Sequence, residues 1–194
     1  MTETAAQWIW AIGLVAWMVI RWPYMRRARK QKVASHKRSS EERTLLAIAG
    51  IGLAIVPLVW MATGFPAFAD YRFVPLAGVL GALVLAASLM MFHAVHRQLG
   101  RMWSVTLEIR DGHKLKTDGL YRWVRHPMYS SFFLWAIAQA LLIPNWVAGF
   151  AGLFGVGLLY VLRVGKEEAM LVEAFGDEYR AYMKTTKRIV PGLL

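Results

Sequence analysis

No cysteine occurs among the 194 residues, which excludes disulfides, thiolate zinc sites and a cysteine nucleophile. Acidic residues are scarce too: 12 Asp and Glu stand against 23 Lys and Arg, for a formal net charge of +11. Such an excess often marks a nucleic-acid partner. Here the positive residues flank hydrophobic runs, the placement expected at the cytoplasmic edges of membrane spans, so no nucleic acid is expected. A dinucleotide fingerprint is missing, and the glycines of 149–157 neither follow a strand nor lead into Lys-Ser/Thr. Neither a Rossmann site nor a phosphate loop is encoded, and a nucleotide-like cofactor has to bind by another route. The opening Met1-Thr2-Glu3-Thr4 lacks the positive region of a cleaved signal peptide, so the first apolar run is expected to be a retained span.

What is present is apolar. Hydrophobic residues make up 57% of the chain, and mean hydropathy is +0.39. They fall into five runs, about 5–20, 45–63, 73–95, 128–143 and 146–162. A span needs roughly 20 residues, which runs two and three satisfy alone and run one satisfies with its flanks. Runs four and five are short and share the turn Pro144-Asn145, so they form a tight hairpin that either just crosses or stops short of the far face.

Loop charge tests the count. Between runs one and two lie nine basic and two acidic residues, a balance of +7; the loop after run two is neutral; that from Arg97 to Pro127 carries seven basic and three acidic residues, +4; the hairpin turn has none. This alternation is what the positive-inside rule requires of five spans, with the N-terminus outside and the C-terminus in the cytoplasm. The expected fold is therefore an all-α integral membrane protein of one domain. Residues 1–96 make a three-helix part and 97–194 a C-terminal half.

Small residues mark helix contacts. Gly78, Ala82 and Ala86 recur every fourth position in run three, and Gly149, Gly152 and Gly155 cluster in run five, so both runs are expected to carry packing seams. Past run five, Val164, Glu168, Leu171 and Phe175 keep helical spacing, which predicts that the helix continues into the cytoplasm. Gly176 reads as its C-cap, and Asp177 as the cap of a short following helix with Tyr179 and Tyr182. The segment from Ser104 to Asp118, with its Asp111-Gly112 turn, reads as an ordered flap.

Ionisable groups at a membrane boundary point to a site, and two clusters qualify. The first is Gly119 to Tyr129, in which Pro127 suits the first turn of a helix and holds His126 extended, leaving its ring and nearby backbone free for a ligand. The alternative is an Arg-His pair reaching for lipid phosphates. The second cluster is Arg163 to Glu168, where run five ends. Arg163 and Glu167 are four residues apart, which fits either a simple ion pair or a ligand site in which Glu167 takes an ammonium and Arg163 a carboxylate. His93 and His96 are three apart but have no evident third metal ligand, so polar residues at a span end are the expected reading and no metal is expected. Arg26 to Arg38 reads as a charged loop near anionic lipid.

Gly119-x-Tyr121-x-x-x-Arg125-His126-Pro127-x-Tyr129, followed by Arg163-x-x-x-Glu167-Glu168, Phe175-Gly176-x-x-Tyr179 and Arg188-x-x-Pro191, resembles the isoprenylcysteine carboxyl methyltransferase family, within a wider group that includes phospholipid methyltransferases. The resemblance covers about 115–191. It implies an enzyme that uses S-adenosylmethionine, releases S-adenosylhomocysteine and methylates a lipid-borne acceptor, here the carboxylate of an isoprenylated cysteine. It further implies that His126, Pro127 and Tyr129 line the cofactor pocket, that Glu167 holds the cofactor's amino group, that Gly119 and Tyr121 shape the wall, and that His113 and Leu115 cover the adenine end. Arg163 is expected to orient the acceptor carboxylate, with Arg125 structural and Glu168 in support. A phospholipid or amine N-methyltransferase with the same cofactor is the nearest alternative, in which Glu167 or Glu168 serves as a base. A non-catalytic scaffold binding anionic lipid through Arg26 to Arg38 is another.

Overall fold

A computed structural model describes residues 1–30, 40–100 and 115–193. The described residues are helical and carry no strand beyond two isolated bridges. Helix α1 spans Glu3–Lys30. Helix α2 (Ser40–Gly50) runs through a π-helical turn (Ile51–Ile55) into α3 (Val56–Thr63), and α4 spans Pro75–Leu99. The hairpin consists of α5 (Pro127–Leu142) and α6 (Trp146–Thr185).

Among the described residues, four segments are long and apolar enough to cross a membrane: Glu3–Ala28, Ser40–Thr63, Pro75–Leu99 and Trp146–Thr185. Helix α5 is apolar but shorter, at 16 residues. That is about 24 Å of rise against a hydrocarbon core of roughly 30 Å. Trp8, Ile12, Val15 and Val19 on α1, and Phe154 and Val161 on α6, face outward and exposed. An apolar girdle of this extent suits lipid rather than water. The protein is a multi-pass membrane protein.

Local chemistry sets the helix ends. Pro75 and Pro127 occupy first-turn positions, where a missing N–H costs nothing. The Asn145 side chain caps α6 by accepting from the N–H groups of Val147 (3.0 Å) and Ala148 (2.7 Å). Helix α6 continues past the apolar run as predicted, and it kinks at Gly176, whose φ of 55° breaks the helical path just before Asp177.

Helix α5 lies between α4 and α6, with α1 on the outer side of α4 and α2 with its π turn against α6. The core is aromatic: Trp10 meets Trp135 edge-on at 6.4 Å, and Trp17 stacks on Phe92 at 5.2 Å. The predicted glycine seam in α6 is real. A Cβ on Gly155 would come within 2.9 Å of the Ala49 Cα, and one on Gly52 within 2.3 Å of the Ala151 carbonyl oxygen. In α4, Gly78 packs on Phe73 and Met1, while Gly81, which the every-fourth pattern did not single out, receives Leu141 and Leu142. The fully buried Gln139 donates to the carbonyls of Gly52 (3.0 Å) and Ala148 (2.7 Å), joining the π turn to the hairpin.

The hairpin turn is fastened to the loop after α3. Asn145 Nδ2 donates to Asp70 Oδ1 (2.7 Å) and to the Pro66 carbonyl (2.9 Å), Trp60 Nε1 donates to the same Asp70 oxygen (2.7 Å), and Tyr71 OH donates to the Ala140 carbonyl (3.1 Å). The turn therefore lies at the level where α3 ends and α4 begins.

Candidate active site

At the opposite end, the start of α5 meets the polar extension of α6 and the segment that follows it. Val124 bridges to Lys187 in parallel, and the N–H groups of Arg125 and His126 donate to the carbonyls of Lys187 and Arg188, both at 2.8 Å. Ser130 Oγ donates to the Ile189 carbonyl at 2.7 Å. The chain after α6 thus folds back beside the Arg-His-Pro segment.

Glu168 is the hub of this return. Its Oε1 accepts from Arg125 Nε (3.1 Å) and Nη2 (2.7 Å), and its Oε2 from Arg188 Nε (3.1 Å) and Nη2 (2.6 Å). Arg125 also donates to the carbonyls of Met183 and Thr186. Glu168, only 4% exposed, has its charge fully used by the fold.

Glu167 differs. Its Oε2 accepts from Tyr129 OH at 3.1 Å, its Oε1 lies 3.7 Å from His126 Nδ1, and a quarter of its side chain (25%) is open. His126 spans the two acids, with Nε2 3.2 Å from Glu168 Oε1. Burial opposes the imidazolium, but the two carboxylates outweigh it and raise the His126 pKa above its ordinary value. The expectation of a ring and backbone free for a ligand does not hold. The extended conformation is present (φ −124°), but the N–H is spent on Arg188 and the ring on the glutamates.

Around Glu167 the rings of His126, Tyr129 and Tyr160 follow one another edge-on at 5.8 and 5.4 Å. Tyr121 belongs to a 3₁₀ turn (Gly119–Arg122), and its carbonyl accepts from Tyr182 OH. Burial, aided by the Glu167 charge, pushes the Tyr121 phenol pKa up. Gly119 has φ +60°, and a Cβ there would lie 2.7 Å from Gln98 Oε1, which accepts from the Leu120 N–H at 3.1 Å. Only glycine combines that backbone with that approach.

Of the residues singled out in the sequence, His126, Pro127, Tyr129 and Glu167 converge directly, with Tyr121 beside them and Gly119 fixing its turn. Leu115 is half-buried upstream, while His113 and most of the 104–118 flap lie outside the described residues. Arg163 reaches Glu42 on α2, Nη2 to Oε1 at 3.1 Å, and Lys166 reaches Glu41 at 2.6 Å. Sequence reasoning missed Glu42, which it counted only toward loop charge, and the clamp of Arg188 on Glu168. The available signal for Glu42 was an acid directly before an apolar run in a strongly basic loop. His96 is buried with Nδ1 2.9 Å from the Phe92 carbonyl of its own helix.

Residues 79–173 match the sequence model of the Isoprenylcysteine carboxyl methyltransferase (ICMT) family. Over this stretch, just under half its length, the chain is similar to that family. Among its relatives are the protein-S-isoprenylcysteine O-methyltransferases of Schizosaccharomyces pombe, 39% identical over 79 residues, and of Homo sapiens, 36% identical over 86. These matches cover 41% and 44% of this chain but only 34% and 29% of those longer proteins. A probable protein-S-isoprenylcysteine O-methyltransferase of Oryza sativa subsp. indica is 28% identical over 198 residues, 98% of each chain. The family match includes the Arg-His-Pro and Glu-Glu elements; Glu42 and Arg188 lie outside it.

Proposed function

We propose that the protein transfers a methyl group from S-adenosylmethionine to the carboxylate of an isoprenylated cysteine, or a similar lipid-borne acid, at the membrane–cytoplasm boundary. The observation that carries this reading is the division of labour between adjacent acids: Glu168 is saturated by two guanidiniums, whereas Glu167 keeps an open face beside aromatic rings. A carboxylate for an ammonium and ring faces for a sulfonium are what a cationic methyl donor requires.

When bound, the donor supplies an already activated methyl group: the acceptor oxygen forms the new C–O bond, the C–S bond breaks, and its electron pair stays on sulfur to give S-adenosylhomocysteine. An ionised carboxylate needs no general base, so the protein's task is alignment. Glu167 holds the donor's amino group, fixed by Tyr129 and His126. Gly119 and Tyr121 shape the wall, Pro127 starts the helix that carries Tyr129, and His113 with Leu115 covers the adenine end. Arg163, one helical turn before Glu167, orients the acceptor carboxylate. The cofactor site is of non-Rossmann type within a single domain. Five crossings are part of this reading, supported by the ties between the hairpin turn and the loop between α3 and α4. The N-terminus is outside, and the C-terminus and site are cytoplasmic, in line with loop charge.

Calorimetric titration with S-adenosylmethionine should show binding, and Glu167→Ala should weaken it by roughly tenfold to a hundredfold, the scale of a charged hydrogen bond. Unaltered affinity in that variant refutes the assignment of Glu167. With an N-acylated S-prenylcysteine as acceptor, the labelled product should release methanol in base; a base-stable label means transfer to nitrogen instead.

A further inference from the structure

The Glu42–Arg163 pair joins α2, outside the family match, to α6, inside it. Both side chains are largely shielded, at 10% and 13% exposure. Burying an ion pair in an apolar setting rarely adds stability over a well-packed apolar pair. A shielded pair one helical turn from Glu167 therefore calls for a role in the site. Glu42 also lies in the first turn of α2, where the helix dipole favours an anion. The neighbouring Glu41–Lys166 pair is more than half exposed and contributes little.

We propose that Glu42 is a positioning residue of the acceptor site: it holds the Arg163 guanidinium and shares its charge, so that Arg163 orients the acceptor carboxylate without quenching it as a nucleophile. This rests on the methyl-transfer reading above. A guanidinium presents several donors in a planar fork and can serve two carboxylates at once. With Glu42 in place, the acceptor oxygen is steered but keeps electron density for attack on the methyl carbon. Without the Glu42 charge, Arg163 turns fully to the acceptor, which binds more tightly and reacts more slowly.

The test is steady-state kinetics on the full-length protein in detergent, with S-adenosylmethionine and an N-acylated S-prenylcysteine. Glu42→Gln, which keeps the shape and removes the charge, should lower the acceptor KM severalfold and kcat by about tenfold, leaving the cofactor Kd unchanged. Glu41→Gln should change neither constant. If Glu42→Gln does not fold, Glu42→Asp keeps the charge on a shorter arm and should move both constants the same way by less. Unchanged constants, or a fall in kcat that only tracks the amount of folded protein with KM constant, overturn the proposal. A wild type that turns over beside such a variant removes Glu42 alone. A wild type that makes no methyl ester removes the methyl-transfer reading and the role of Glu42 with it.

Discussion

Adjacent glutamates on one helix end in opposite surroundings because successive residues are about 100° apart around the axis. Glu168 turns to Arg125 and Arg188 and becomes part of the scaffold; Glu167 turns to Tyr129 and stays accessible. His126 bridges both, and its raised pKa links protonation to folding. The folded state binds this proton more tightly than the unfolded chain, whose histidine titrates near ~6.5. The stabilisation is therefore fully present below that pH and is lost as pH rises through the higher folded pKa. Melting temperature should decline with rising pH above about 6.5, and His126→Gln should flatten that decline. An equal slope in both proteins would remove the imidazolium from the site. The sequence showed the histidine, the proline that extends it and the paired acids. It did not show which acid is satisfied, because that depends on Arg188, twenty residues beyond Glu168 along a chain that reverses direction.

Elements were legible where hydropathy is unbroken. The start of α5 and both edges of the hairpin turn agree with the apolar runs to within a residue, and the continuation of α6 past 162 with its break at Gly176 follows from apolar spacing and the Gly-Asp pair. The basic end of α1 was hidden, because charge ended the apolar run while the helix went on to Lys30. The π turn was hidden as well: Ile51–Ile55 reads as ordinary span, and only Gln139 across the interface marks the redirected carbonyl of Gly52. At that crossing the backbones of the π turn and α6 are in contact, so Gly52→Ala should destabilise by about 1–3 kcal/mol, the usual cost of overpacking. Gly157→Ala, with nothing within 4 Å of its new Cβ, should not. Thermal melts of the two variants in one detergent make the comparison, and equal melting temperatures would show that the seam tolerates a methyl group.

At the level of the molecule, the two ends have different characters. One is held by Asn145, Asp70 and Trp60 around a neutral turn, and the other carries the site. Loop charge indicated this polarity, and the proposal of five crossings with the site inside rests on it. Because the chain has no cysteine, single substitutions report topology without background. Phe68→Cys, at an exposed position beside the hairpin turn, should react with an impermeant maleimide on intact cells. Lys184→Cys, exposed beyond the Gly176 kink, should react only after permeabilisation. Labelling of both from the same side would refute five crossings.

The backbone pairing of Arg125 and His126 with Lys187 and Arg188 also bears on biosynthesis. A ribosome releases those partners only after both arms of the hairpin have been made, so the hairpin has to enter the bilayer while the chemistry at its mouth is still unformed. On the proposed methyl-transfer reading, donor capture is then the last event of maturation, and an insertion intermediate arrested before Lys187 emerges should be held in the membrane yet fail to bind S-adenosylmethionine.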